Sequence, residues 1–407
     1  MSDYKFSDYC DAMTNGEITL VCHVGNGNTF KIPTECWNII EKYLGKYSID
    51  EICDAMADDE DRTYMRTIFD SLIEKKILVN DDENKIKCVD LVLTNRCNLR
   101  CTHCCIDSDY ATMCDKLTTE DWKRIIDKII EIQPENIVIT GGEPMLRDDF
   151  FELSDYLKER NKGKLDLMTN GLFINKDNVE RLVKLYDGFN ISLDGYDEET
   201  CSKIRGKGVF QKVIDAVELL KQNGVPSKNI ALSMVETAFT KGKTQLFDEL
   251  NDRLGTLSII REFSPLGRGE INRKILEIFE SENNGQFEKE TGRPVCQNCL
   301  AGRQKFSINS QGDIYPCMLL EKEAYCMGNI NDIPNLKEFF GKKENRKTKG
   351  YLNLEKLMPQ KREECKDCNV RAYCVRCFPD FEKYVGRDDF SELCTIQKNA
   401  LKYIWEE

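Results

Sequence analysis

Apolar residues recur in two patterns along the chain, and these patterns alternate through its middle part. Short runs rich in β-branched residues predict strands, and apolar residues three or four positions apart predict helices. The predicted strands of the middle part are 89–94, 136–140, 164–168, 188–193, 230–234 and 256–260. Strands that alternate with helices predict a parallel sheet with right-handed crossovers. About six such units predict a partial (β/α)6 barrel, similar to a TIM barrel, with its chemistry at the carboxyl ends of the strands.

The pattern before and after this barrel is different. Strands 18–22 and 29–32 enclose a Gly-Asn-Gly-Asn turn, and three helices follow, which predicts a winged-helix-like α/β domain. The second of these helices begins at a capping box formed by Ser48 and Glu51. After about residue 290 the regular pattern is lost, which predicts a cysteine-rich and loop-rich end, with a basic, solvated loop at 342–349. The predicted domains are therefore 1–85, 86–290 and 291–407.

Charge and cysteine content narrow the classes of function. The net charge of −13 disfavours a nucleic-acid partner or an anionic membrane. No apolar run is long enough to span a bilayer, and the start of the chain lacks the features of a signal peptide, so we expect a cytoplasmic protein. The chain has 20 cysteines but two histidines. Ligand sets made almost entirely of thiolates favour iron–sulfur clusters or zinc held by four thiolates.

Three cysteines follow the first barrel strand. Cys97, Cys101 and Cys104 form a C-x3-C-x2-C motif in one short loop. Three thiolates on one loop can hold a cubane cluster and leave its fourth iron without a protein ligand. A zinc knuckle is the alternative, but it needs a fourth ligand, and both His103 and Cys105 are poorly placed to supply it.

Further motifs lie at the ends of the following strands. Gly141, Gly142, Glu143 and Pro144 form a turn after the second strand, and Asn170 follows the third within Thr-Asn-Gly. Together with the three cysteines, these motifs resemble those of the radical S-adenosylmethionine (SAM) superfamily. The resemblance implies that Cys97, Cys101 and Cys104 hold a catalytic 4Fe–4S cluster that binds SAM.

The same resemblance implies a chemistry and a cofactor site. In the superfamily the open iron chelates the amino and carboxylate groups of SAM, and one electron yields a 5′-deoxyadenosyl radical that abstracts hydrogen from a C–H bond. The 141–144 turn is expected to hold the SAM amino group. Asn170, Ser192 and Arg205 are expected to make further cofactor contacts.

The last cysteines of the chain resemble the SPASM extension of radical SAM enzymes, which implies two auxiliary 4Fe–4S clusters. The first is expected to bind Cys299, Cys317 and Cys377, with Cys296 as its fourth ligand. The second is expected to bind Cys365, Cys368, Cys374 and Cys394. A pair of zinc ribbons is the alternative. If Cys296 is not a ligand, the first auxiliary cluster has an open iron that can take a substrate thiolate.

The nine cysteines outside these motifs are expected to be small core residues rather than ligands. They are Cys10, Cys22, Cys36, Cys53, Cys88, Cys105, Cys114, Cys201 and Cys326.

The front domain resembles the PqqD-like peptide-recognition domain that precedes many peptide maturases. The resemblance implies that a leader peptide adds as a strand to a sheet edge, in a groove between residues 22–32 and the helix that carries Phe69 and Leu72. A winged helix on DNA is disfavoured, because residues 1–85 contain 18 acidic and 9 basic residues. A structural cap without a ligand is the remaining alternative.

These features predict a radical SAM enzyme that matures a ribosomally synthesised peptide. The expected product is an intramolecular crosslink, with a Cys thioether favoured, and the expected partners are a precursor peptide with a leader and a flavodoxin- or ferredoxin-type electron donor. Formylglycine formation of the anaerobic sulfatase-maturating type is a rival, disfavoured because Met318 replaces the acidic residue of that family after Cys317. Carbon–carbon crosslinking, epimerisation and maturation of a peptide-derived redox cofactor are further alternatives, as is a non-catalytic electron carrier.

Overall fold

The chain forms two compact units. The computed structural model describes residues 4–80, 85–109, 111–277, 296, 298–341, 347–374, 377–382 and 390–406. The first unit contains Met1–Asn84, Glu282–Leu300 and Leu352–Glu407, and the second contains Lys85–Ser281 and Ala301–Tyr351. The expected boundary at 290/291 lies outside the described residues, as does most of the basic stretch 342–349. The last expected domain, 291–407, is divided between the two units.

The first unit begins with two small sheets and three helices. Their elements are β1 Lys5–Phe6, β2 Cys10–Asn15, β3 Ile18–His23, β4 Asn28–Pro33, α1 Thr34–Tyr43, α2 Ile49–Asp54, α3 Asp59–Glu74 and β5 Leu78–Val79. β1 pairs with β5, and β2, β3 and β4 form an antiparallel sheet in that order. The two predicted strands and three predicted helices are confirmed. β2 was not predicted, because its sequence, CDAMTN, has few of the β-branched residues that indicate a strand.

Local sequence explains where these helices start and how they pack. At the start of α2, Ser48 Oγ accepts from the Glu51 N–H, and the Glu51 carboxylate accepts from the Ser48 N–H at 2.7 Å, which confirms the capping box. The apolar faces of the three helices form one core around Trp37, Ile40 and Phe69, all buried. Burial of side chains of this size contributes roughly 1.5–3 kcal/mol each.

The second unit is built on a nine-stranded sheet. Six parallel strands, in chain order, form most of it, and they confirm the predicted partial barrel. They are β6 Cys88–Val92, β7 Asn136–Thr140, β8 Lys164–Thr169, β9 Gly188–Ser192, β10 Ile230–Glu236 and β11 Leu257–Glu262. The helices of this region are α4 Thr119–Glu131, α5 Phe150–Arg160, α6 Val179–Leu185, α7 Glu198–Arg205, α8 Val209–Gln222, α9 Thr244–Leu254, α10 Arg268–Ile271 and α11 Arg273–Leu276.

Three further strands continue the sheet beyond β6. They are β12 Lys305–Ile308, β13 Asp313–Tyr315 and β14 Gly328–Asn329, and α12 Leu336–Gly341 follows. β12 pairs in parallel with β6, while β13 and β14 are antiparallel. The prediction of an irregular end after residue 290 is therefore wrong for this segment. These strands are two to four residues long, too short to produce a recognisable alternation.

One face of the parallel sheet is covered by apolar side chains. On β7, β8 and β9 the fully buried residues alternate with partly exposed ones, as Leu165 and Leu167 alternate with Asp166 and Met168. The helices bury matching residues, such as Trp122 and Ile126 of α4. The opposite face, which we call the polar face, carries Asn136, Asp166, Asn190 and Ser192 together with the apolar Val138 and Met168. Chemistry is expected where the strands end at their carboxyl side.

The remaining helices are short. They are α13 Lys349–Glu355, α14 Arg371–Cys374, α15 Phe378–Glu382 and α16 Phe390–Ala400. Within the first unit, Val370, Tyr373 and Leu401 pack against Tyr9 and Met13 in a second buried cluster. Within the described part of the chain, no helix has the length and apolarity needed to cross a membrane.

Candidate active site

The loop after β6 brings the three predicted cluster ligands together. Cys97 and Cys101 are buried, and Cys104 is half-buried. Each sulfur lies close to an N–H donor. The Leu99 N–H lies 3.4 Å from the Cys97 sulfur, and the Ser108 N–H lies 3.4 Å from the Cys104 sulfur. The Arg205 side chain lies 3.8 Å from the Cys101 sulfur. N–H groups directed at sulfur stabilise its anionic form, which is the form that binds iron.

The 141–144 turn lies directly against this loop. The Gly142 N–H donates to the Thr94 carbonyl at 2.7 Å, and the Glu143 N–H donates to the Arg96 carbonyl at 2.8 Å. A Cβ on Gly142 would lie 2.3 Å from the Arg96 carbonyl oxygen, and one on Gly141 would lie 2.5 Å from the Thr94 oxygen. Both glycines are thus required for the approach of two protein backbones. This reason differs from the approach to a ligand that the sequence suggested.

The carboxylate of Glu143 is directed into the protein. It accepts hydrogen bonds from Thr169 Oγ1 at 2.9 Å, from the Asn170 N–H at 2.8 Å and from the Met145 N–H at 3.2 Å. Burial raises the pKa of Glu143 to about 7, and these hydrogen bonds oppose that rise. Glu143 therefore connects the turn to the end of β8, and Pro144 begins a short 3-10 turn, Pro144–Leu146.

Two predicted cofactor residues lie at the ends of β8 and β9. Asn170 donates from Nδ2 to Asn98 Oδ1 at 2.8 Å and lies 3.9 Å from the Cys97 sulfur. Ser192 is the last residue of β9 and is half-buried on the polar face. On the same face, Asn190 has a buried Oδ1 atom with no hydrogen-bond partner among the described residues. A buried acceptor without a protein partner calls for an explanation, and a bound ligand or water would supply one; Asn190 was not predicted as a site residue.

Arg205 lies at the cluster loop. Its Nε donates to Asp194 Oδ2 at 2.6 Å, and its Nη1 reaches the Cys101 sulfur. The Nε2 atom of His103 lies 2.7 Å from the same carboxylate oxygen. The charges of Arg205 and His103 hold the pKa of Asp194 well below its usual range despite complete burial. His103 is thus engaged by a carboxylate through Nε2.

A segment after β11 braces the cluster loop and was not predicted. Arg268 donates from Nη1 to the Cys101 carbonyl at 3.1 Å and from Nη2 to the Ser108 carbonyl at 2.7 Å. Gly267 has a φ of +53°, and a Cβ there would lie 2.6 Å from the Cys105 carbonyl oxygen. The available sequence signal was Gly-Arg-Gly at 267–269, a few residues after the last barrel strand, where glycines indicate close backbone approach.

Four cysteines near the end of the first unit lie close enough to one another to interact electrostatically. Burial, followed by the charges of Cys368, Cys365 and Cys394, raises the pKa of Cys374 to about 12. These are the four residues assigned to the second auxiliary cluster. We refer to them as the four-cysteine group.

An ion pair anchors the segment that carries the four-cysteine group. Arg371 contacts both carboxylate oxygens of Asp11, at 2.7–3.2 Å, and donates to the Ala12 carbonyl at 2.6 Å. Its Nη1 donates to the Lys366 carbonyl at 2.7 Å. Asp11 is buried, and burial raises its pKa although Arg371 opposes the shift. Neither residue was singled out from the sequence, because 360 positions separate them.

The cysteines assigned to the first auxiliary cluster belong to different units. Cys296, Cys299 and Cys377 belong to the first unit and Cys317 to the second, and their joint role stays a prediction. Cys296 is fully buried. Its thiol contacts the thiol of Cys22 and donates to the Asn28 carbonyl at 3.7 Å. Within the second unit, burial raises the pKa of Cys105 to about 12, and the nearby Cys104, Glu321 and Cys317 add to this rise.

The residues present fit an iron–sulfur cluster and a polar ligand. The three thiols on the loop have N–H donors suited to anionic sulfur, and the free Oδ1 of Asn190 suits a polar ligand on the same face of the barrel. Within the described residues, no group of three His, Cys, Asp or Glu side chains is arranged to hold a single metal ion.

Comparison with known proteins agrees with this site. The family model of the radical SAM superfamily matches residues 91–237, and that of an iron–sulfur cluster-binding domain, SPASM, matches residues 299–369. The chain is 30% identical to the mycofactocin maturase MftC of Mycolicibacterium smegmatis, over 60% of this chain and 67% of that protein. It is 28% identical to the antilisterial bacteriocin subtilosin biosynthesis protein AlbA of Bacillus subtilis, over 58% of this chain and 56% of that protein.

A solved structure shares the fold. Streptococcus suis SuiB bound to SAM superposes with a TM-score of 0.54 at 17% identity, covering 93% of this chain and 96% of SuiB. The chain belongs to the radical SAM superfamily, and it is an enzyme. Within that superfamily it carries a SPASM domain. Its cofactors are SAM, the 4Fe–4S cluster that binds SAM, and auxiliary iron–sulfur clusters.

Proposed function

We propose that this enzyme matures a ribosomally synthesised peptide by installing an intramolecular crosslink, with a Cys thioether as the favoured product. The observation that carries the proposal is the presence, in one chain, of the three-cysteine loop and the four-cysteine group. The similarity to a mycofactocin maturase and to a subtilosin biosynthesis protein supports it.

We further propose the domain roles expected from the sequence, with 1–85 as a leader-recognition domain, 86–290 as the radical SAM core and 291–407 as the SPASM domain. In the three-stranded sheet, β2 and β4 are the outer strands. The Ala12 carbonyl of β2 already accepts a hydrogen bond from Arg371, so β4 is the strand to which we propose that a leader adds. Phe69 and Leu72, however, are fully buried in the core. The predicted groove between residues 22–32 and the helix that carries them, α3, stays a prediction. The acidic front of the chain favours a leader with basic residues.

The residues of the barrel unit have defined roles in this proposal. Cys97, Cys101 and Cys104 hold the catalytic cluster, and the backbone of the 141–144 turn, with Asn170 and Ser192, orients SAM. When bound, SAM supplies a 5′-deoxyadenosyl radical that abstracts a hydrogen atom from a C–H bond of the peptide. Formation of the C–S bond also releases the thiol proton and one electron, and the clusters accept that electron. Arg268 and Glu143 keep the loop and the turn in place. The burial of Cys97 and Cys101 limits access of water to the cluster.

The test uses enzyme purified without oxygen, SAM, a reductant such as a flavodoxin or ferredoxin system, and the short peptides encoded beside the gene. We expect 5′-deoxyadenosine and a peptide that has lost two hydrogen atoms for each crosslink. A Cys101→Ala variant serves as the control and should yield neither. If no neighbouring peptide is altered while 5′-deoxyadenosine still forms, the peptide-maturase proposal is wrong.

Thiol chemistry then separates the products. A thioether consumes one alkylatable cysteine for each crosslink, whereas a carbon–carbon bond leaves every cysteine alkylatable. Formylglycine reacts with carbonyl reagents, and neither crosslink does. Retention of all cysteine thiols in a crosslinked peptide would contradict the thioether part of the proposal.

A further inference from the structure

Among the three sulfurs of the cluster loop, that of Cys101 has a charged donor. The described donors to Cys97 and Cys104 are backbone N–H groups and the neutral Asn170 amide, whereas Cys101 faces the Arg205 guanidinium. We propose that Arg205, positioned by Asp194, makes the SAM-binding cluster easier to reduce through its contact with the Cys101 sulfur. This inference rests on the ligand role proposed for the three cysteines.

Asp194 fixes the direction of Arg205. It lies just beyond β9 with a φ of +55°, a left-handed conformation that is uncommon outside glycine but that aspartate and asparagine adopt more often than most residues. Its Oδ1 accepts the Val235 N–H at 2.6 Å, and its Oδ2 accepts from Arg205 Nε at 2.6 Å. The Nε atom of the guanidinium is thus held by a carboxylate, and Nη1 is directed at the Cys101 sulfur.

The network is buried, which strengthens its electrostatic effect. The side chain of Asp194 is 2% exposed, and those of Arg205 and His103 are each 9% exposed. In such surroundings a charge acts more strongly than it does in water. A positive charge and an N–H donor at a ligand sulfur stabilise the additional negative charge of the reduced cluster, and hydrogen bonds to sulfur are among the factors that set cluster potentials. The predicted effect is a higher reduction potential.

His103 adds a second connection between Asp194 and the cluster loop. Because its Nε2 faces a carboxylate oxygen, this atom carries the proton. His103 lies between Cys101 and Cys104 in sequence, so the bond to Asp194 holds the loop at the distance where Arg205 reaches the sulfur. Asp194 and His103 are therefore positioning residues. Arg205 is the residue that touches the cluster ligand.

The test is an EPR-monitored redox titration of the full chain, reconstituted with iron and sulfide and titrated without SAM. The SAM-binding cluster is assigned by the change of its signal when SAM is added. Relative to the unaltered enzyme, we expect Arg205→Gln to shift its midpoint potential to a more negative value. Arg205→Lys should shift it less, because the charge remains while the two-armed geometry is lost.

Asp194→Asn distinguishes two effects of Asp194 on the cluster potential: the positioning of Arg205 and the direct electrostatic effect of the carboxylate charge. Removal of a buried negative charge would by itself raise the potential, whereas release of Arg205 from its anchor lowers it, and we expect the lower value. Arg181→Gln, at an exposed ion pair on α6, is the control for handling and should leave the potential unchanged. Iron content and melting temperature identify variants that fail to fold or to assemble the cluster.

An unchanged potential in Arg205→Gln with full iron content, or a higher potential in Asp194→Asn, would overturn this inference. Failure of the underlying proposal gives a different result. If Cys101→Ala retains the SAM-sensitive signal, the three cysteines are not the ligands and the inference loses its basis. If that signal disappears in Cys101→Ala but Arg205→Gln behaves as the unaltered enzyme does, the ligand role stands and only the role of Arg205 is wrong.

Discussion

The three-cysteine loop of the barrel unit and the four-cysteine group of the first unit gather thiols in different ways. The loop spans eight residues, 97–104, and follows a strand with a neighbour on each side. The members of the four-cysteine group lie between 365 and 394, where the described residues form helices and turns, and Arg371 connects its segment to Asp11. The first arrangement depends on local spacing and a sheet, whereas the second depends on distant contacts, namely the ion pair with Asp11 and the packing of Val370 and Tyr373 against Tyr9 and Met13. We therefore expect single substitutions outside the motif to affect the four-cysteine group more strongly.

The largest expected effect is at the loop. Cys101→Ala should remove about four irons per chain and abolish formation of 5′-deoxyadenosine, because three thiolates are the minimum that this cluster type uses. Cys374→Ala removes one of four protein ligands, so it should lower the iron content by up to about four irons per chain but should retain some 5′-deoxyadenosine formation without peptide. Iron analysis and chromatography of the nucleoside measure both. Cys114→Ala, at an exposed thiol, is the control and should match the unaltered enzyme; loss of nucleoside formation in Cys374→Ala would contradict the separation of the two groups.

The second effect tests the anchor of the four-cysteine group. Arg371→Ala leaves the Asp11 carboxylate buried and unpaired, which should lower the free energy of unfolding by about 3–5 kcal/mol and reduce the iron content. Denaturant unfolding and iron analysis measure the two changes. Arg181→Ala removes an exposed ion pair and should cost less than about 1 kcal/mol. Equal effects of the two substitutions would mean that the Asp11–Arg371 pair is not an anchor.

The third effect concerns Cys296. Because its thiol packs against Cys22 in a buried cluster, we expect Cys296→Ala and Cys22→Ala to behave alike, each costing about 1 kcal/mol with unchanged iron content. Such a result would favour an open iron in the first auxiliary cluster. Loss of iron in Cys296→Ala alone would instead identify Cys296 as the fourth ligand, as the sequence resemblance implied.

The smallest effect is a pH dependence at the 141–144 turn. Burial raises the pKa of Glu143 from 4.5 to about 7. A carboxyl group with a raised pKa holds its proton in the folded state while the unfolded chain loses it, so its contribution to stability is full below the lower pKa and declines as the pH rises to the higher one. Glu143→Gln should therefore reduce the fall in melting temperature between pH 4.5 and pH 7.

Glu180→Gln, at an exposed position of α6, is the matched control and should retain the pH dependence of the unaltered chain. An identical slope for Glu143→Gln and Glu180→Gln would show that Glu143 does not titrate as described.

The sequence was most informative where function and spacing are local. The barrel strands, the three-cysteine loop and the 141–144 turn follow from patterns a few residues long, and their elements appear where they were expected. The reason for the two glycines was different, because the close approach that excludes a side chain is to Thr94 and Arg96. No sequence pattern can indicate which backbone a glycine will meet before the strands are paired.

Long-range contacts were not predictable in this way. Asp11 with Arg371, and Arg268 with the Cys101 carbonyl, join residues separated by 360 and 167 positions. In their own segments Arg371 and Arg268 show no pattern that marks them as special. Their structural roles come from the buried groups that they contact in distant segments. The short strands after residue 300 were missed because runs of two to four residues show no recognisable alternation, and their pairing with β6 or with each other is non-local.

The parallel pairing of β12 with β6 has a consequence for biosynthesis. β6 receives its second neighbour from residues 305–308, which the ribosome adds more than two hundred residues later. Until then the strand below the three-cysteine loop is an open sheet edge, the kind of surface on which nascent chains associate wrongly. Non-local closure of this kind also slows folding. Coexpressed chaperones should therefore increase the yield of this enzyme more than a faster rate of translation would.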